Sequence, residues 1–248
     1  LFRSRQHAAV WQQITGKALK PRAGRLLWLK LLTVVLGFTF SVKTMQKNEQ
    51  LTQTLYERLT KELPQVADML TDERHHETEL YGMLDEERLH YVGDIVLGMN
   101  DALVELTGAI AGVTFALADT KLVAMTGIIT GVSATLSMAA SNYLAERAQG
   151  GKDALKSSAY TGAAYLITVA LLVLPYLLFP APLYIAAFAA MIVLALSIIL
   201  FFNYYVSVAK GEPFLRRFVE MAGISLSVAL ISFVIGILAK QLLGIATM

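Results

Sequence analysis

The sequence predicts an all-α membrane protein, in which a five-span transmembrane helical bundle follows a polar, helical N-terminal region. The composition supports this fold class, because 56% of the 248 residues are hydrophobic and only 16% are charged, a balance that soluble domains rarely show. Five apolar stretches are each long enough to cross about 30 Å of hydrocarbon as a helix. They are residues 94–118, 122–144, 159–179, 183–208 and 218–238.

The charged residues are concentrated at the front of the chain. Residues 1–91 hold 13 Lys/Arg and 11 Asp/Glu, whereas residues 92–248 hold 8 of each. We therefore predict an N-terminal domain over 1–90 and a transmembrane domain over 91–248. The net charge of +2 is too small to indicate nucleic acid binding. The absence of cysteine excludes disulfides and thiolate metal ligands, and no nucleotide-binding motif indicates an organic cofactor or ATP-driven transport.

Basic residues between the spans predict the orientation in the membrane. They are frequent after the second and fourth spans and sparse after the first, the third and the fifth, which places the connections after spans two and four in the cytosol. The N-terminal domain should then be cytosolic and the C-terminus on the opposite side. The frequent set is Arg147, Lys152, Lys156, Lys210, Arg216 and Arg217, and the sparse set is Lys121 and Lys240.

Two carboxylates lie inside the first span. Asp101 and Glu105 are one helical turn apart and follow Asp94 by about 10 and 16 Å along the axis. Ionisable side chains at this depth are costly and usually functional, although a neighbouring hydroxyl or amide could satisfy them without any transport role. We predict that both acids line a path for cations or protons.

Three glycines share the helical face of these acids. Gly98, Gly108 and Gly112 are spaced so that they fall on one stripe with Asp101 and Glu105. Gly108 and Gly112 form a GxxxG pair, which lets another helix approach closely. The simplest helix to pack there is the same span of a second copy. We therefore expect a homodimer in which the acids of both copies surround a central path.

Met138 is a further candidate ligand in the second span, where Ser137, Ser141 and Asn142 flank it. A thioether can bind a borderline divalent cation without adding charge. The alternative is that Met138 only fills space between helices.

The N-terminal domain is predicted to be helical, with a helix over 1–16, another over 48–63 and a third over 65–90. Residues 26–45 carry basic residues around an apolar core of about 16 residues, shorter than the roughly 18 expected of a span. We interpret 26–45 as a helix that lies in the membrane interface rather than crossing it.

Four side chains in this domain are candidate metal ligands. Glu73 and His76 form an ExxH pair that places a carboxylate and an imidazole one turn apart on the same helical face. Glu49 and His7 could join them from neighbouring helices. Such a set suits iron or manganese, although a charge-rich helix also produces ExxH as a solvated face.

Two groups of residues resemble known families. The first group is similar to the vacuolar iron transporter family: Asn100-Asp101-Ala102-Leu103, Gly108, Gly112, Ser137-Met138 and Tyr143-Leu144. The second group, His7-Ala8-Ala9-Val10-Trp11 with Glu49 and Glu73xxHis76, resembles the rubrerythrin or ferritin-like domain that some members of that family carry.

The first resemblance implies a function. It implies a five-span homodimer that exports Fe²⁺ or Mn²⁺ from the cytosol in exchange for protons, with Asp101 and Met138 lining the cation path. Plant-type members carry a glutamate-rich element between spans two and three, whereas the loop here is short, residues 146–157. The ferritin-like domain is then expected to capture the metal through Glu49, Glu73, His76 and His7.

The N-terminal domain departs from the ferritin pattern. Ser4 stands where a glutamate should precede His7, and a glutamate-bearing first helix is missing upstream, so we expect a longer native N-terminus. Because these ligands are missing, we predict slow or absent Fe²⁺ oxidation. We therefore predict a divalent-metal exporter in a lipid membrane, with a membrane-anchored ferritin-like iron oxidase or storage protein as the alternative.

Overall fold

The computed structural model of the chain describes residues 38–60, 91–151 and 153–242. It also describes single positions elsewhere, which are 12, 16, 24, 27, 30, 31, 33, 67, 70–72, 74, 75 and 78. Only the backbone is described at 38, 39, 46–49 and 51. These described residues form helices and turns, and no strand occurs among them. The chain divides into two compact units, Leu1–Leu89 and His90–Met248, and each is described by itself.

In the first unit, helix α1 runs from Phe38 to Leu59. The sequence predicted two separate helices, 26–45 and 48–63, and that division is wrong because α1 continues through residues 46–47 without a break. No glycine or proline lies between Phe38 and Leu59 to interrupt it. Arg74 and Glu57 form a surface salt bridge of 2.7 Å, which joins a helical position of the 65–90 segment to α1.

The second unit consists of five long helices and one short 3₁₀ turn at Ala181–Leu183. The long helices are α2 (Val92–Leu117), α3 (Thr120–Ala148), α4 (Ala154–Leu178), α5 (Tyr184–Lys210) and α6 (Phe214–Leu242). All five are long and apolar enough to cross a membrane, and they are the helices with that property in the part of the chain that is described. The five predicted spans are therefore confirmed, and the protein is an integral membrane protein.

The helices extend up to five residues beyond the apolar stretches read from the sequence, because helical backbone continues into polar residues at the ends. The connection between α2 and α3 is the tightest. Ala118 ends α2 in the left-handed conformation, with φ 52°. Asp119 then caps α3, and its Oδ1 accepts hydrogen bonds of 2.8 and 3.0 Å from the backbone N–H groups of Lys121 and Leu122.

Helix α2 has the most extensive contacts of the five spans. It contacts each of the other four spans, and its contact with α6 is the most extensive although these two are the first and last spans of the chain. The apolar core around it includes Leu103, Leu106 and Ile110 of α2, together with Leu172 of α4 and Met191 of α5. The acids predicted to be functional are thus carried by a helix that contacts all four other spans and keeps one side exposed.

Candidate functional site

Asp101 and Glu105 are placed near the middle of α2. Glu105 is the fourteenth of the 26 residues from Val92 to Leu117, so it lies about 20 Å from either end of the helix. Asp101 is half-buried, whereas Glu105 is exposed on the surface of the chain. Glu105 is therefore accessible from outside a single chain, at the middle of a helix that is long enough to span a membrane.

Glu105 has a partner inside the bundle. The hydroxyl of Tyr165, on α4, donates a hydrogen bond of 2.8 Å to Glu105 Oε2. Tyr165 is fully buried, at 0% exposure. The sequence reading did not single out Tyr165. A buried tyrosine in an apolar span usually has a hydrogen-bond partner, so the sequence could predict that Tyr165 has one. It could not predict that the partner is Glu105, which lies 60 residues away in the sequence.

The glycines of α2 pack against helices of the same chain. A methyl group added at Gly98 would overlap the carbonyl oxygen of Thr161 on α4. A Cβ at Gly108 would lie 2.7 Å from Val228 Cγ1, and one at Gly112 would lie 2.9 Å from the carbonyl oxygen of Ser232, both on α6. The prediction that this stripe receives α2 of a second copy is wrong, because α4 and α6 already occupy it.

A polar cluster lies at the end of the bundle where α2 begins. The buried side chain of Asn142, on α3, donates hydrogen bonds of 2.8 Å to the hydroxyls of Ser157 and Thr161 on α4. Its amide nitrogen is also 3.5 Å from Asp94 Oδ1 on α2. Asn142 thus links three spans. The sequence showed it only as a polar neighbour of Met138.

Two buried polar atoms of α2 have no hydrogen-bond partner among the described residues. They are Asn100 Oδ1 and Thr107 Oγ1. The carbonyl oxygen of Leu103, to which Thr107 could bond back along its own helix, accepts a hydrogen bond of 2.8 Å from Ser225 on α6. Buried polar groups normally have a hydrogen-bond partner. These two atoms, like Asp101 and Glu105, are polar groups that a span with only a packing role would not need.

Met138 is half-buried on α3 and packs against the apolar core of the bundle. This placement fits the space-filling alternative, and it leaves the role of the thioether as a prediction. Within the described ranges no three His, Asp or Glu side chains come together as a metal-binding group. Asp101 and Glu105 therefore do not form a complete metal site with a third such ligand from the described part of one chain.

The structure does not describe the side chains of the four candidate ligands in the first unit. Glu49 lies on α1, where only the backbone is described, and Glu73, His76 and His7 lie outside the described residues. Their neighbours Arg74 and His75 are helical and exposed. Metal binding by Glu73 and His76 stays a prediction.

The helices that carry these polar side chains, α2 and α3, are also where the chain matches a protein-family model. Residues 92–152 match the model of the VIT family. A comparison with curated proteins gives no match. The VIT-family match spans 61 of the 248 residues and covers α2, α3 and the start of the next connection. Asp101, Glu105, Met138 and Asn142 all lie inside it, so it supports the predicted resemblance to vacuolar iron transporters and a metal-ion transporter rather than an enzyme.

Proposed function

We propose that this chain exports Fe²⁺ or Mn²⁺ from the cytosol in exchange for protons, with Asp101 and Glu105 of α2 as the groups that bind the ion in the membrane. The observation that carries the proposal is the pair of carboxylates near the middle of α2, a span that contacts all four others and lies inside the VIT-family match. Ionisable groups at such depth usually mark ion pathways.

Carboxylates also suit the exchange chemistry. Protons and a divalent cation bind to the same carboxylate oxygens, and a bound cation favours the ionised form of the group. A divalent ion and protons would therefore compete for Asp101 and Glu105. Met138 would complete the coordination as a neutral ligand.

The exposed carboxylate of Glu105 supports a homodimer. An ionised group facing lipid at the bilayer centre costs several kcal/mol, and a second copy of α2 would cover it while supplying further carboxylates. This dimer contact differs from the glycine stripe, which is filled within the chain.

The N-terminal domain is proposed to be cytosolic and ferritin-like, and to collect the metal through Glu49, Glu73, His76 and His7. Basic residues lie at the end of the bundle nearest that domain in sequence, including Arg147, Lys210 and Arg216. Cytosolic metal would then be delivered to the end of α2 that precedes Asp101.

The test is metal flux in proteoliposomes that contain the purified chain and carry an imposed pH gradient. Fe²⁺, kept reduced, and Mn²⁺ are offered in parallel, with protein-free vesicles as the control. We expect uptake of at least one of the two ions that falls when a proton ionophore removes the gradient. Folded protein that moves neither ion would overturn the proposal, and rapid Fe²⁺ oxidation without flux would favour the ferritin-like oxidase.

A further inference from the structure

Two buried tyrosines of α4 reach across to α2 in the same way. Tyr165 and Tyr176 are 0% and 1% exposed, and their separation of three helical turns places them on one face of α4. Tyr176 shares a hydrogen bond of 2.7 Å with the hydroxyl of Thr114, which itself donates to the carbonyl oxygen of Ile110. Tyr165 instead donates to the carboxylate of Glu105.

The two contacts differ in chemistry. Thr114 is neutral and fully buried, so the bond to Tyr176 satisfies two hydroxyls inside the bundle. Glu105 is exposed and is free to bind an ion from outside the chain. Hydrogen bonds to an ionised acceptor are roughly twice as strong as neutral ones. The Tyr165 hydroxyl therefore fixes one oxygen of a side chain that would otherwise move among several rotamers.

We infer that Tyr165 is a positioning residue for metal binding at Glu105: its hydroxyl holds Oε2, so that the carboxylate is presented to the ion in one orientation. The inference rests on the proposed function of Glu105. The buried ring of Tyr165 acts as a rigid support, because the packing of α4 against α2 fixes it. Without the hydroxyl, the Glu105 side chain would lose its conformational freedom only when the ion binds. That loss of entropy would weaken the affinity for the ion.

The first variant is Tyr165→Phe, which keeps the ring and removes the hydroxyl. We expect the metal concentration for half-maximal flux to rise about tenfold, the typical effect of losing a charge-assisted hydrogen bond. Maximal flux should stay within about twofold. Tyr176→Phe is the matched control, since it removes an equally buried hydroxyl from the same helix pair without touching a carboxylate, and its half-saturating concentration should equal that of the wild type.

The second variant is Glu105→Asp, which keeps the charge and draws the carboxylate away from Tyr165. Because Glu105 is exposed, this change should leave the packing of the core intact. The variant therefore still tests the inference if Tyr165→Phe does not fold. We expect a similar rise in the half-saturating concentration. Adding Tyr165→Phe to Glu105→Asp should then have less than about a twofold further effect, because the two changes break the same contact.

Three results would overturn the inference: unchanged half-saturation in Tyr165→Phe, an equal shift in Tyr176→Phe, or full additivity of Tyr165→Phe with Glu105→Asp. Failure of the proposed function is distinguishable, since it would show first as absent flux in the wild type. If Tyr165→Phe does not fold, unchanged half-saturation in Glu105→Asp overturns the inference by itself.

Discussion

Gly236 on α6 lies directly against the backbone of Gly112 on α2, so closely that a Cβ at position 236 would overlap the carbonyl oxygen of Gly112. The two glycines let the first and last spans of the chain meet backbone to backbone. Small residues at such crossings are what allow membrane helices to pack closely.

Gly236→Ala should therefore destabilise the bundle, by about 1–3 kcal/mol for an overpacked helix contact. The measurement is the unfolding free energy or thermal midpoint of the purified protein in detergent. Gly223→Ala is the control on the same helix, because a Cβ there would meet nothing within 4 Å. Equal stability of the two variants would show that the α2–α6 contact is not as close as described.

The glycine spacing on α2 predicted a close helix contact but not the partner. A GxxxG pair shows which face of a helix carries small residues. Any helix with its own face of small residues can pack closely against it. The matching side was present in the sequence of α6, where Ser225, Ala229, Ser232 and Gly236 follow at steps of 4, 3 and 4. A comparison of small-residue stripes between spans would have found it.

The spans themselves could be predicted because bilayer thickness sets a minimum apolar length, and among the residues that the structure describes only α2 to α6 reach it. The hydrogen bonds of Glu105 and Asn142 to other spans could not be predicted from the sequence. Tyr165 and Glu105 are 60 residues apart, and nothing local to either one specifies how α4 rotates about its axis. That rotation depends on the packing of the whole bundle.

Asn142→Leu should loosen the polar end of the bundle. Leucine is similar in size but cannot donate to Ser157 or Thr161, whose hydroxyls are buried. Because hydrogen bonds between membrane helices contribute modestly, we expect a loss of about 1–2 kcal/mol in unfolding free energy. Ser141→Ala, at the exposed neighbouring position, is the control and should change stability by less than about 0.5 kcal/mol.

Asp101→Asn should reduce metal flux at least tenfold while the protein remains folded in detergent, because the amide cannot neutralise a divalent ion. Glu105→Gln should weaken flux for the same reason. Glu220→Gln is the control: Glu220 is exposed near the start of α6 and accepts a hydrogen bond of 3.0 Å from Arg216. Flux in Asp101→Asn within about twofold of the control would remove Asp101 from the path.

Glu73→Ala combined with His76→Ala tests metal capture by the N-terminal domain. We expect weaker Mn²⁺ binding in calorimetry and a higher concentration for half-maximal flux, with maximal flux retained because the membrane acids are intact. Because Ser4 stands where a ligand is expected, Fe²⁺ oxidation should be slow. Substitution of the adjacent, exposed His75 by Ala is the control for a general loss of helix charge. Identical binding by all three proteins would assign the ExxH pair to a solvated face.

The exposed side of α2 predicts where a second copy would sit. Ala109 lies one turn beyond Glu105 and is exposed, whereas Gly98 is closed by α4. In this chain without cysteine, Ala109→Cys should therefore form a disulfide between subunits in membranes. Val193→Cys, which replaces a side chain 64% exposed on α5, is the control and should remain monomeric under the same oxidation.

The reason for expecting this contact is the carboxylate one turn away. A dimer in which α2 faces α2 would remove both Glu105 side chains from lipid and place two Asp101–Glu105 pairs around one path, supplying more oxygen ligands than one chain provides. Ala109→Leu should then weaken both the dimer and the flux, since a larger side chain would separate the helices. Crosslinking through Val193→Cys but not through Ala109→Cys would place the interface elsewhere and leave each chain with its own path.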